Sequence, residues 1–283
     1  AELAIKALDL GAHDYIAKPT SNRDLSGESG FSGELLRKVA GLGTAARRDG
    51  GSRTQKRSRP VAVSRDASAP PPPKALHKGK AITLRNSPIV NPKVIAIGSS
   101  TGGPMTLTEV LSDLDKDVVQ PIFITQHMPP TFTAMLSQHL GKASGRPCQE
   151  GADGMPALPG NIYLAPGGYH MTVTGEARAP VIALNEDPPE NFCRPSVDPM
   201  LRSLAELYGH NMLVVILTGM GSDGQLGCSP LAERGATIIA QDEATSTVWG
   251  MPGAVATSGL CNEVLPLSKI GKRFSQIAIG KRP

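Results

Sequence analysis

Val94-Ile95-Ala96-Ile97-Gly98-Ser99-Ser100-Thr101-Gly102-Gly103-Pro104 holds a strand, a turn and the start of a helix in eleven residues. Val94 to Ile97 are apolar and mostly β-branched, the composition of a buried strand. The three glycines permit a sharp turn with close backbone approach. Pro104 suits a helix's first turn, where its missing N–H is not needed. Met105, Leu107, Val110, Leu111 and Leu114 then recur at helical spacing. Gly98-Ser99-Ser100-Thr101-Gly102 also fits G-x-S-x-G, the pattern that lifts a central serine clear of a parallel sheet. A plain Gly-Ser turn at a strand end is the bland alternative. A phosphate-binding loop fits less well, because no Gly-Lys-Ser/Thr follows and the glycines are not spaced G-x-G-x-x-G.

Downstream, strands and helices alternate. Pro121 to His127 reads as a second strand, broken by Met128-Pro129-Pro130, with a helix through Phe132, Met135, Leu136 and Leu140. Residues 145 to 195 are rich in Gly and Pro. Short strands near 162–165, 171–173 and 181–184 predict an inserted hairpin region and a long surface loop. Ser196 is placed to cap a helix through Leu207. Met212 to Leu217 is the strongest buried strand and runs into Thr218-Gly219-Met220-Gly221-Ser222-Asp223-Gly224. A helix to about Arg234, a strand from Ala236 to Gln241, a last helix and a strand from Val264 to Leu267 follow. The expected fold class is α/β: a doubly wound, mainly parallel sheet with an inserted hairpin region, preceded by a disordered linker.

Sites in such sheets form at the carboxyl ends of the strands. Ser100, His127 and Asp223 each sit just past a strand, so all three should reach that edge. They are the inventory of a hydroxyl nucleophile, its general base and the acid that orients the base. The chain order Ser, His, Asp differs from the Ser, Asp, His order of α/β-hydrolases. Ser99 is the alternative nucleophile but should point away from the turn. Asp223 has a structural alternative, capping the next helix. His139 is expected on a helix surface, while His170 and His210 are expected away from the chemical edge. Thr101, Gly102 and Met220 are expected at the oxyanion and substrate pocket, with packing as the first reading of Met220 and Met251.

Composition bounds the rest. The chain's +4 charge is uneven, because residues 47–93 hold twelve basic and two acidic residues, a net +10, against −6 elsewhere. That stretch, with Pro70 to Pro73, reads as a basic, Pro-rich solvated linker over 43–92, with no nucleic acid as partner. Cys148, Cys193, Cys228 and Cys261 form no C-x-x-C pair and read as reduced thiols of a cytoplasmic protein with no metal site. No cofactor is expected. No apolar run is long enough to span a bilayer, so no membrane insertion is expected. Ahead of the linker, the run ALDLGAHDYIAKP resembles the end of a response-regulator receiver domain, with Lys18 matching the lysine that helps bind the phosphoryl group in that family. Residues 31–42 are expected to add a short helix, making 1–42 the receiver remnant and 93–283 the catalytic domain.

Four motifs in order carry a second resemblance: Ile97 to Gly103, Thr125-Gln126-His127-Met128-Pro129-Pro130, Arg194-Pro195-Ser196-Val197-Asp198 and Ile216 to Gly224. From Lys93 to about Phe274 the chain resembles the catalytic domain of CheB-type chemotaxis protein-glutamate methylesterases. The resemblance implies that Ser100 is the nucleophile, His127 the base and Asp223 its partner. It implies a serine hydrolase that demethylates glutamyl methyl esters, and deamidates glutamines, on the cytoplasmic helices of chemoreceptors. The chemotaxis histidine kinase is an implied partner of the intact protein only. In this family phosphorylation of the receiver relieves its block on the active site. The phosphoacceptor would lie before Ala1, so basal activity independent of a phosphodonor is expected. A non-catalytic receptor-binding adaptor and a nucleotide-binding module are the readings from other classes.

Overall fold

The computed structural model describes residues 7, 10–12, 14–16, 31–49, 81–89 and 91–280. Lys18, most of the expected first helix and strand, and residues 50–80 lie outside them.

A helix, α1, spans Phe31–Asp49, seven residues beyond the expected end at 42. The main domain begins with β1 (Val94–Ser99), α2 (Gly103–Ser112), β2 (Ile122–Gln126) and α3 (Phe132–Ser144). Next come β3 (Cys148–Glu150), β4 (Ile162–Leu164), β5 (His170–Glu176) and β6 (Ala179–Asn185). The chain closes with α4 (Val197–Tyr208), β7 (Met212–Ile216), α5 (Gln225–Arg234), β8 (Thr237–Gln241), α6 (Met251–Thr257), β9 (Glu263–Leu265) and α7 (Leu267–Ala278).

Seven strands form one sheet in the order β3-β4-β2-β1-β7-β8-β9, and every pairing is parallel. The chain builds outward from β1 through β2, then returns to place β7 on β1's other side. That reversal is the topological switch of a doubly wound sheet, where a crevice opens at the strands' carboxyl ends. One expectation needs correcting. The strand near 162–165 is not part of the insertion: β4 pairs with β2 in the main sheet, and the unforeseen β3 pairs with β4 at the edge. Only β5 and β6 form the separate antiparallel hairpin.

Alternation along the central strands divides the core. Val94, Ala96, Val214 and Ile216 face one cluster with α4, α5 and the hairpin. Ile95, Ile97, Val215 and Leu217 face the other with α2, α3 and α7. Strands buried on both faces read as continuous apolar runs, which is why β1 and β7 stood out in the sequence.

Two further contacts frame the domain. Arg85 donates to the carbonyls of Ala236 and Leu260, and Ser87 Oγ accepts from Asn262, so the segment ahead of β1 is tied down at the amino ends of β8 and β9. On the opposite side, a methyl group added to Gly41 of α1 would come within 2.6 Å of Met220 Cε and 3.1 Å of Val248 Cγ2. Tyr15 stacks on Phe132 at 4.5 Å, and Lys38 pairs with Asp14 at 3.1 Å.

Candidate active site

Strand register brings the candidate residues together. Gly98 of β1 aligns with Thr125 of β2 and with Ile216 of β7, so all three strands end at one level. Ser100, His127 and the turn carrying Asp223 therefore leave one edge of three adjacent strands. The Ser100 N–H donates to Thr218 O at 3.0 Å, and the His127 N–H to Ser99 O at 3.1 Å.

The Ser100 turn is built as its sequence indicated. Gly102 has φ 78°, a left-handed conformation that glycine adopts without strain, and it starts α2. Ser99 is fully buried, its hydroxyl donating to Gln126 Oε1 at 2.7 Å, which leaves Ser100 as the partly exposed serine of the turn. Gln126 returns two hydrogen bonds from Nε2, to Ser100 O at 2.9 Å and His127 O at 3.1 Å. Thr218 Oγ1 donates to Thr101 O at 2.9 Å, tying the turn to the end of β7. Among the described residues, neither the Thr101 nor the Gly102 N–H has an acceptor. This is the ordinary condition of amides at a helix start. Met220 is half-buried, with its Cε beside Gly41 of α1.

The Asp223 carboxylate takes six hydrogen bonds. Its Oδ2 accepts from His127 Nε2 at 2.6 Å and from the Val197 N–H at 2.7 Å. Its Oδ1 accepts from Ser196 Oγ at 2.7 Å, Gly224 N–H at 2.9 Å, Asn191 Nδ2 at 3.0 Å and Asp198 N–H at 3.1 Å. The capping alternative is thus half right. Asp223 does cap a helix, but mainly α4, across the sheet edge, rather than its own α5. Ser196 sits at the N-cap of α4 without bonding that helix; its hydroxyl goes to Asp223 instead. Burial opposes a charged carboxylate, yet the His127 hydrogen bond and charge and these donors outweigh it, holding Asp223 at a pKa of about 2.

His127 is held from both sides. Burial works against the imidazolium, but the Cys193 sulfur and the Asp223 carboxylate prevail and raise its pKa to about 10. Nε2 belongs to Asp223, and Nδ1 meets Cys193 Sγ at 3.3 Å. Among the described residues no hydrogen bond joins the Ser100 hydroxyl to the ring. A second carboxylate lies behind. Asp198 is fully buried, accepting from Gly227 N–H at 2.7 Å and Asn191 Nδ2 at 2.9 Å. Burial, then the charge on Asp223, raises its pKa to about 6.

His170 corrects an expectation. It is buried close behind the site, its Nδ1 accepting from the Ser196 N–H at 3.2 Å and its Nε2 3.2 Å from Pro188 O. Gln126, Asn191, Cys193, Ser196, Asp198 and Thr218 complete the surroundings, and sequence reasoning gave none of them a part in the site, reading Ser196 only as a helix cap and Cys193 only as a reduced thiol. Gln126, Ser196, Asp198 and Thr218 did lie inside the quoted motifs. Asn191 and Cys193 carried no signal. Among the described residues no group of three His, Cys, Asp or Glu could hold a metal ion, and no helix is long and apolar enough to cross a membrane.

An imidazole hydrogen-bonded to a buried carboxylate, beside a serine on a strand–turn–helix, is equipped for acyl transfer. The family profile described as CheB methylesterase matches residues 95–274. A protein-glutamate methylesterase/protein-glutamine glutaminase of Azospirillum brasilense is 51% identical over 98% of this chain and 71% of its own length. One of Rhodospirillum centenum is 49% identical over 98% of this chain and 72% of its own. The crystal structure of the Thermotoga maritima CheB methylesterase catalytic domain superposes with a TM-score of 0.64 at 38% identity, covering 66% of this chain and all of that one. With the profile spanning most of the folded domain and relatives at half identity along nearly the whole chain, this protein belongs to the CheB methylesterase family.

Proposed function

We propose that the chain is a serine hydrolase that converts glutamyl methyl esters on chemoreceptors to glutamate and methanol, and glutaminyl amides to glutamate and ammonia. The observation that carries the reading is the 2.6 Å contact between His127 Nε2 and the six-fold hydrogen-bonded Asp223, at the strand edge that also holds Ser100.

The chemistry runs in two acyl transfers. Because Nε2–H is committed to Asp223, Nδ1 is the nitrogen that takes the Ser100 proton. Ser100 Oγ adds to the substrate's γ-carbonyl carbon, and negative charge gathers on the carbonyl oxygen. The open Thr101 and Gly102 amides at the start of α2 suit that charge, strengthened by the helix dipole. The imidazolium then returns its proton to the departing methoxide or amide nitrogen, giving methanol or ammonia and an acyl-serine ester. Water, deprotonated by the same nitrogen, hydrolyses that ester. Asp223 stays ionised throughout and steadies the imidazolium. The leaving group is small in both reactions, so one site serves both.

The same reading takes residues 1–42 as a receiver remnant, 43–92 as a linker and 93–283 as the catalytic domain, in a cytoplasmic protein. Its partners are the methylated helices of chemoreceptors and, for the intact protein, the chemotaxis kinase. The test is methanol release from a methyl-esterified chemoreceptor cytoplasmic fragment, with wild type beside Ser100→Ala. Release by wild type alone supports the reaction and its nucleophile together. Equal release by both assigns the chemistry elsewhere, and release by neither favours a receptor-binding adaptor.

A further inference from the structure

An imidazole has two nitrogens, and in this site both are occupied. Nε2 lies 2.6 Å from Asp223 Oδ2, which leaves Nδ1 as the nitrogen through which Ser100 can exchange a proton. That nitrogen faces Cys193 Sγ at 3.3 Å. A neutral Nδ1 accepts from the thiol, and a protonated Nδ1 donates to the sulfur. In either state the sulfur fills the position that the Ser100 hydroxyl needs, because one nitrogen has one lone pair or one proton. We propose that Cys193 is a positioning residue, a latch that holds the general base in the resting enzyme and must leave Nδ1 before Ser100 can be activated. This rests on the reading of Ser100 and His127 just given.

The turn that carries the thiol is built to present it. Cys193 N–H donates to Glu190 O at 2.9 Å, closing a tight turn in which Asn191 (φ 52°) and Phe192 (φ 63°) are both left-handed. Two successive non-glycine residues rarely take that conformation. Asn191 Nδ2 spans the carboxylates, 3.0 Å from Asp223 and 2.9 Å from Asp198, so the turn is anchored beneath the histidine. Glu190 pairs with Arg202 of α4 on the outer side. Phe192, at the tip, is 72% exposed. The latch therefore has a fixed foot and a solvent-facing tip. Sulfur is a weak hydrogen-bond partner, so the substrate-bound serine can displace it at small cost.

The groups facing His127 are few. Asp223 comes from the β7–α5 turn and Cys193 from the 190–193 turn, with Asp198 of α4 one layer behind and the Glu190–Arg202 pair beyond. Of these, Cys193 alone touches Nδ1. Removing it takes away one of the two influences that favour the imidazolium. Each unit by which the His127 midpoint falls multiplies the free base at neutral pH about tenfold.

The decisive experiment follows the ring nitrogens of His127 by ¹⁵N NMR across pH in the full chain, in wild type, Cys193→Ala and the near-isosteric Cys193→Ser. Methanol release from a small glutamyl γ-methyl ester peptide is measured over the same range. Expected are a lower His127 midpoint in Cys193→Ala, a rising limb of kcat/KM displaced equally, and turnover at pH 7 faster in proportion, about tenfold for each unit of displacement. Cys193→Ser should fall between. An unmoved midpoint and limb in both variants would overturn the proposal, as would a uniform loss of rate at every pH, the mark of a merely structural role. The NMR titration needs no substrate. A wild type that releases no methanol therefore removes the proposed function while the titration still decides whether Cys193 holds Nδ1.

Discussion

The turns after β1 and β7 use the same backbone device for opposite ends. Each leaves a central strand, passes through a left-handed glycine, and starts a helix: Gly102 at φ 78° before α2, Gly224 at φ 89° before α5. One turn carries Ser100, whose hydroxyl has no hydrogen-bond partner among the described residues. The other carries Asp223, whose two oxygens take six hydrogen bonds. In the proposed roles, the group that would attack is left loose on a fixed backbone, and the group that would stay ionised is fixed atom by atom. The difference lies in what surrounds the turn, chiefly the N-terminus of α4, whose first amides donate to Asp223.

Substitutions should separate the two roles sharply. Ser100→Ala should lower methanol release by on the order of 10⁴- to 10⁶-fold, with His127→Ala similar and the double variant little worse. The stability of Ser100→Ala in urea should stay within about 0.5 kcal/mol of wild type, because the hydroxyl gives up no hydrogen bond. Additive losses in the double variant would break the comparison. Asp223→Asn should cost less in rate, about 10³- to 10⁴-fold, but far more in stability, about 3–5 kcal/mol, since an amide must then face donors on every side.

The pH dependence of unfolding sharpens the same point. His127 moves from 6.5 to about 10 on folding, so its contribution is complete below pH 6.5 and fades as pH rises toward 10. Asp223 moves from 3.8 to about 2, so its contribution is present above pH 3.8 and fades as pH falls toward 2. The pair should stabilise the fold most between about pH 4 and 6.5. Urea unfolding across pH should show stability lost in wild type as pH rises from 6.5 toward 10 and as it falls from 3.8 toward 2, with Asp198, raised from 3.8 to about 6, adding a downward slope between those values, and a flattened profile at both ends in Asp223→Asn. Ser196→Ala removes a single neutral donor to a charged acceptor and should cost about 1–3 kcal/mol, with a smaller rate loss than Asp223→Asn. Gly102→Ala should cost about 1–2 kcal/mol from its left-handed backbone, plus whatever shift relieves a methyl placed 2.4 Å from Thr247 Oγ1.

Local patterns made the central sheet and its three strand-end residues legible in the sequence. Buried β-branched runs mark β1 and β7, and glycines mark the turns. What stayed hidden depended on contacts distant in the chain. Ser196 looked like an ordinary helix cap, yet its hydroxyl crosses 27 residues of sequence to reach Asp223. β4, three residues long, gave no hint that it pairs in the main sheet, because register with β2 is a tertiary fact. Cys193 and Asn191 lie in a loop whose composition is generic, and only the folded turn shows what they touch.

Gln126 gives the site an unexpected form of self-preservation. An enzyme read as cleaving glutaminyl amides keeps such an amide directly beneath its own serine. Gln126 is 2% exposed, its oxygen engaged by Ser99 and its nitrogen by two carbonyls. Hydrolysis there would put a carboxylate against the carbonyls of Ser100 and His127 and undo the turn. The amide endures because its carbonyl carbon is screened from water and from the serine above it, so the catalyst is chemically vulnerable to its own reaction and geometrically immune to it.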